Sequence, residues 1–357
     1  MNILEQIYEI NFNKIHCNER KIAITDPCTI LRGPPKSGKS YLIYDYLSSY
    51  KETEYLYIDF SEYKNDQLQI KRNLESFLEI HTIKVLVLEN FNFDITLPQG
   101  IESIIITTTK LDKLDKFETI YVGGLDFEEF LLFDTKHQTP SNSFNSFLKY
   151  GNFPEVIEYG EHKKSHRNYE ISQLYCEDSI QLQILFIFIK NAGEKKSIFQ
   201  LFTSLKKEIK ISKDRFYKTA ELFEKNQVLF FCQKYEQSKA VKKIFAHNHA
   251  LLDIVSYKKN FNNLFKNMTF LELNKRYDQI YYLDNVDFFL PNENEIILAI
   301  PFFNNLISAT IMTKILPNIE LYAVKKVIIV TVNTLESIFI GELEAQIVPF
   351  QNWAVSL

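Results

Sequence analysis

Residues 33–40 read Gly-Pro-Pro-Lys-Ser-Gly-Lys-Ser, a complete phosphate-binding loop in a 357-residue chain with only nine glycines. Two of those glycines stand where such a loop needs them. Gly33 and Gly38 permit a tight turn around an anion, and the N–H groups of Lys36, Ser37, Gly38, Lys39 and Ser40 point inward. Lys39 is placed to reach the β- and γ-phosphates of a nucleotide, and Ser40 to ligate Mg²⁺. Pro34 and Pro35 lack N–H groups but lie in the early part of the loop, which contributes least to the cradle. The motif requires a strand before it and a helix after it. Lys21–Thr25 and Thr29–Arg32 carry β-favouring residues, and Tyr41–Leu47 repeats its apolar positions at helical spacing. The positive end of that helix adds to the attraction for phosphate. Gly33 to Tyr41 is therefore the expected nucleotide-binding segment, with ATP and Mg²⁺ as its ligands.

Hydrophobic residues make up 46% of the chain, including 30 Phe and 20 Tyr, enough for several compact units. The N-terminus has no basic region followed by an apolar stretch, and the longest apolar run, Ile184–Ile189, is far too short to cross a bilayer. A cytoplasmic protein without membrane contact is expected. Cys17, Cys28, Cys176 and Cys232 are too scattered for a metal or redox pair and read as free thiols. The net charge of −4 is unevenly spread: Lys190–Lys243 holds fourteen Lys/Arg against six Asp/Glu, which makes the segment +8 and leaves the remainder at −12. A basic module on an acidic body suits a polyanion surface or a solvated face.

The order of elements predicts an α/β chain. Tyr55–Asp59, Lys84–Glu89 and Ile104–Thr109 read as strands, with an amphipathic helix over Gln67–Ile80 between the first two. From Asp126 to Lys190 the pattern is helical, interrupted at Tyr150–Glu155. Helices over Ser197–Ile209 and Ser212–Asn226 and a hairpin over Val228–Cys232 and Ala240–Phe245 follow, the pattern of a winged helix. Beyond Phe261 the chain returns to mixed α/β, with strands near 280–283, 286–290, 295–300, 326–332 and 338–350.

Hydrolysis needs more than a loop: an acid to support the metal and a base to orient water. The strand Val85–Leu88 delivers Glu89, which with Ser40 can hold Mg²⁺, followed by Asn90, which cannot accept a proton; an alternative register makes Glu89 the base and leaves Leu88 at the metal position, so one acid is missing either way. Asp59, ending the previous strand, is an alternative acid or simply a turn residue. Thr107, Thr108 and Thr109 end the next strand, and Thr108 is the candidate contact to the γ-phosphate. Among the few arginines, Arg167 is the first to test as a charge supplied to that phosphate.

The sequence of motifs resembles a prokaryotic family of P-loop ATPases of the AAA superfamily, in which the ATPase domain is joined to a winged helix and a nuclease-like domain of the restriction-endonuclease fold. The resemblance rests on Gly33–Ser40, Val85–Asn90, Ile104–Thr109, Leu125–Leu131, Tyr150–Glu155, Ser212–Val228 and Val286–Phe288. It implies a P-loop domain over 1–125, a helical subdomain over 126–194, a winged helix over 195–250 and a nuclease-like domain over 251–357. The departures matter. Glu89-Asn90 stands where the family has Asp-Glu, and Lys116 is the nearest residue to an arginine expected before Leu125. In the nuclease-like part Asp287 matches, while Lys266 replaces a helix acid and Ala299 and Pro301 replace the Glu and Lys of the catalytic pair. One carboxylate remains of two, so nuclease activity is not expected and Asp287 reads as structural. In the winged helix, Phe216, Ala220 and Phe223 face the core behind an N-cap at Ser212, leaving Lys213, Tyr217 and Lys218 to touch DNA or a protein partner.

Together these features describe an ATP-binding switch with weak or absent hydrolysis and a degenerate nuclease-like domain. Two alternatives stay open: an active ATPase completed by an oligomer or a partner's arginine, and a DNA-binding protein with a vestigial nucleotide site.

Overall fold

The structure, a computed structural model, describes residues 3–12, 15–110, 114–137 and 139–357, without the side chains of 305–310 and 312. The chain divides into two compact units, Met1–Gly123 and Gly124–Leu357.

The first unit contains α1 (Ile3–Tyr8), β1 (Cys28–Arg32), α2 (Lys39–Leu47), β2 (Tyr55–Asp59), α3 (Gln67–Ile80), β3 (Val85–Glu89), β4 (Ser103–Thr107) and β5 (Glu118–Tyr121). The strands form one parallel sheet in the order β2-β3-β4-β1-β5. Runs such as Val85-Leu-Val-Leu and Ile104-Ile-Ile are apolar without alternation because both faces are covered. Period-two geometry then sorts the side chains. Leu86 and Leu88 join Leu56 and Ile58 in a core with α1 and α3. Val85 and Val87 join Tyr55 and Tyr57 in the opposite core, against Leu42, Ile43 and Leu47 of α2. The next residue of each odd series, Asp59 and Glu89, therefore emerges on the α2 side.

One expectation needs correction here, and one strand went without a sequence signal. Lys21–Thr25 forms no strand; β1 starts only at Cys28, after Asp26 accepts from the Cys28 amide at 2.7 Å and the Thr29 hydroxyl donates to the Asp26 carbonyl. β5 gave no apolar signal because it is an exposed edge strand of polar and mixed residues.

The second unit begins with α4 (Phe127–Phe133), α5 (Pro140–Tyr150), α6 (Pro154–Glu158), α7 (Glu161–Gln173) and α8 (Ser179–Lys190). It continues through α9 (Ile198–Lys206), α10 (Lys213–Lys225), β6 (Leu229–Lys234), β7 (Lys243–Ala246), α11 (Leu251–Val255) and α12 (Phe261–Asn274). β8 (Tyr281–Leu283), β9 (Val286–Leu290), β10 (Glu295–Ala299), α13 (Asn305–Leu321), β11 (Lys326–Thr331), β12 (Glu336–Ile340), β13 (Leu343–Pro349) and α14 (Phe350–Ser356) complete it. Its sheet is mixed, in the order β12-β13-β11-β10-β9-β8-β6-β7. The hairpin β6–β7 joins it through parallel pairing of β6 with β8, so one sheet runs from the hairpin to the C-terminal strands. The segment expected as one strand from 338 to 350 is two, folded antiparallel at Gly341, whose φ of 63° suits a turn without a Cβ. The Ser212 hydroxyl caps α10 by accepting from the Arg215 amide, and Phe216, Ala220 and Phe223 are buried. No helix among the described residues is long and apolar enough to cross a membrane.

Candidate functional site

The loop Gly33–Ser40 leaves the C-terminal end of β1 in the first unit and runs into α2. Gly33 has φ of 130°, and a Cβ there would meet the Val122 carbonyl oxygen at 2.2 Å, so only glycine permits this approach. Gly38, at φ 99°, caps α2, whose first residue is Lys39. Lys36 also takes a left-handed turn, at φ 63°. Arg20 donates to the Ser37 carbonyl at 3.0 Å and to the Gly123 carbonyl at 3.3 Å, bracing the loop from outside. Sequence reasoning gave Arg20 no role, because nothing in its local pattern marks a partner seventeen residues away.

The charge in the loop is held ready. The Lys39 ammonium donates to the carbonyls of Gly33 and Pro34, at 3.0 and 2.8 Å, and burial pulls its pKa down to about 8, with Glu89 opposing. The Ser40 hydroxyl donates to Glu89 at 2.5 Å. Burial pushes the Glu89 pKa up; the Ser40 hydrogen bond and the Lys39 and Lys36 charges pull the other way without restoring it. The Ser37 hydroxyl is buried and has no hydrogen-bond partner among the described residues. A hydroxyl next to a buried, under-compensated carboxylate fits Mg²⁺ held by Ser40 and Glu89, and a half-buried ammonium at the N-terminal end of α2 fits a phosphate group. Tyr41 is half-exposed at the start of α2, with its ring edge against Tyr44.

The other predicted residues divide. Asn90 turns at φ 55°, its amide N–H donating to the Thr107 hydroxyl at 2.8 Å and its side chain to Asp59 at 2.9 Å and Ser61 at 3.1 Å. The two threonines at the end of β4 have different surroundings. The pleat carries Thr107, two residues beyond Ile105, onto the α2 side. Thr108 is buried instead, its hydroxyl donating to the Phe91 carbonyl at 2.7 Å and accepting from the Lys110 amide at 3.0 Å. Arg167, in the second unit, is taken up by Glu155 and Glu170, at 2.6 and 2.8 Å. That pairing leaves the expected arginine role without support.

In the second unit, Asp287 lies buried in β9 and receives two lysines on one oxygen, Lys266 at 2.8 Å and Lys243 at 3.3 Å. The Ala299 amide donates to its other oxygen at 3.1 Å. Burial alone would raise its pKa; Lys243, Lys266 and that amide together hold it below the ordinary aspartate value. Lys243 gave no sequence signal because it falls within a basic segment that reads as solvated. Lys213 and Lys218 are exposed on α10, and the Lys213 ammonium lies over the rings of Tyr217 and Phe199.

No protein-family model matches the chain. It is 21% identical over 393 aligned positions to an uncharacterised protein of Methanocaldococcus jannaschii, covering 93% of this chain and 89% of that protein. Among solved structures it is similar to a Walker-type ATPase of Pyrococcus abyssi, with a TM-score of 0.43 and 12% identity over 69% of this chain and 99% of the other.

Proposed function

We propose that the first unit binds ATP with Mg²⁺ in the loop Gly33–Tyr41, hydrolyses it slowly at most, and serves as a nucleotide-dependent switch. The observation that carries the reading is the half-buried Lys39 ammonium, whose hydrogen-bond partners are carbonyls of its own loop and which feels the charge of Glu89, the partner of Ser40. A bound triphosphate would take over the ammonium, and Ser40 and Glu89 would hold the metal, which supplies charge neutralisation at the β- and γ-phosphates. Asn90 at the base position supports slow turnover. For the second unit, the pairing of Asp287 with Lys243 and Lys266 supports a structural acid rather than a nuclease centre. DNA contact through Lys213, Tyr217 and Lys218 is a second reading, favoured by the exposure of the two lysines on a capped helix within a basic segment.

The direct test is the affinity for ATP·Mg²⁺ of the wild type and of Lys39→Ala. A loss of about a hundredfold or more is expected, since one charge-assisted contact to phosphate is removed from a buried site. Equal affinities would remove the site assignment.

A further inference from the structure

Asn90 leaves open which group takes the proton of an attacking water. We propose that Asp59, on the neighbouring strand, is the base of this site. The proposal rests on the nucleotide reading above and names a catalytic group within it.

Three observations place Asp59 there. It is the register partner of Glu89 in the parallel pair β2–β3, and the side-chain alternation of both strands sends it to the α2 side with Glu89. Its Oδ1 is filled: the Asn90 side-chain N–H donates to it at 2.9 Å, and the Ser61 amide and hydroxyl each at 2.8 Å. Its Oδ2 accepts no hydrogen bond among the described residues. Asp59 is half-buried, so water can reach that oxygen.

The bonding also orients Asn90. A carboxylate oxygen accepts only, so the Asn90 side chain must turn its NH₂ toward Asp59, which leaves its carbonyl oxygen to accept from a water. The amide at the usual base position thus orients water, and the carboxylate one hydrogen bond away receives the proton. In the step itself, the water oxygen forms a bond to the γ-phosphorus as the bond from that phosphorus to the β–γ bridging oxygen breaks, its electron pair leaving with ADP. The water proton passes to Asp59 Oδ2 and departs with phosphate or solvent. Glu89 is not available for this, because its carboxylate is committed to Ser40 and the metal position.

A turn-forming aspartate would show the same three donors, so the test must separate turn from base. ATP affinity, affinity for ADP with aluminium fluoride, and single-turnover hydrolysis are to be measured on the full chain as wild type, Asp59→Asn, Asn90→Glu and the double variant. Asp59→Asn is expected to bind ATP within threefold of wild type, to bind the aluminium fluoride complex at least tenfold more weakly, and to hydrolyse at least a hundredfold more slowly. In the double variant, Asn90→Glu is expected to restore hydrolysis by returning a carboxylate to the strand end. Wild-type hydrolysis in Asp59→Asn, or a wild type that binds ATP and never turns it over, overturns the assignment of Asp59 alone. A wild type that binds no ATP overturns the nucleotide reading as well.

Discussion

Glu89 and Asp287 are both buried strand carboxylates, one in each unit, and their acidities move in opposite directions. Burial penalises the charge of both. What differs is the local cation count. Asp287 holds two ammonium groups within 3.3 Å on the same oxygen, whereas Glu89 has a hydroxyl at 2.5 Å and feels Lys39 and Lys36 without an ion pair among the described residues. A carboxylate neutralised by its own chain has no vacancy for a metal ion. One left short of positive charge would gain by acquiring Mg²⁺, so the same residue class fits the proposed metal site in the first unit and an internal ion cluster in the second.

The sharpest way to break this contrast is to remove each charge while keeping its shape. Asp287→Asn leaves Lys243 buried without its counter-ion, and the expected loss of stability is about 3 kcal/mol or more, read by chemical denaturation. Glu89→Gln removes a charge that burial already disfavours, so its effect on unfolding without nucleotide is expected to stay within about 1 kcal/mol. Equal losses in the two variants would mean that Glu89 is as internally neutralised as Asp287, and the metal argument would fail with it.

Glu272 extends the comparison to an acid with no cation bonded to it among the described residues. It is fully buried in α12, accepts from the Phe127 amide at 2.8 Å, and has a second oxygen without a partner among the described residues. Burial, with repulsion from Asp126, raises its pKa to about 8. The folded state then keeps a proton that the unfolded chain has released, so stability is present at low pH and falls as pH rises through this window toward 8, by at most about 1.4 kcal/mol per unit. His247 and His249 work in the opposite sense. Burial lowers both to about 4, so the unfolded chain takes up protons first and stability falls as pH drops from about 6.5 toward 4. Glu272→Gln is expected to flatten the alkaline side of a melting-temperature profile between pH 6 and 9 and to leave the acid side alone. An unchanged alkaline slope would show that Glu272 is ionised in the folded protein.

Much of the proposed nucleotide site is legible because it is local in sequence: loop, cap and start of the helix lie within nine residues, and Glu89 ends an apolar run that only a buried strand explains. Residues that act across strands are not. Asp59 reads as a turn residue until the β2–β3 register sets it beside Glu89, and Thr107 is separated from Thr108 only by the phase of the pleat. Lys243 is the clearest case. Within fourteen basic residues it carries no mark of burial, yet it alone of the segment's lysines reaches Asp287 among the described residues. Charge counts measure a segment, whereas burial is decided by the sheet that segment joins.

That distinction yields the smallest expected effect. Lys213 and Lys218 belong to the same basic segment as Lys243 but stay exposed on α10, with Lys213 resting on the Tyr217 and Phe199 rings. Reversing both to Glu is expected to change folding stability by no more than about 0.5 kcal/mol, because no buried group loses a partner. If α10 meets a DNA backbone, each lysine contributes close to one released counter-ion, and the slope of log affinity against log salt falls by about 2 in the double variant. Binding that keeps its salt slope would place the DNA surface elsewhere. A wild type that shows no binding to duplex DNA at low salt would leave these lysines as solvated charge, the surface counterpart of a buried lysine whose role is fixed by one carboxylate.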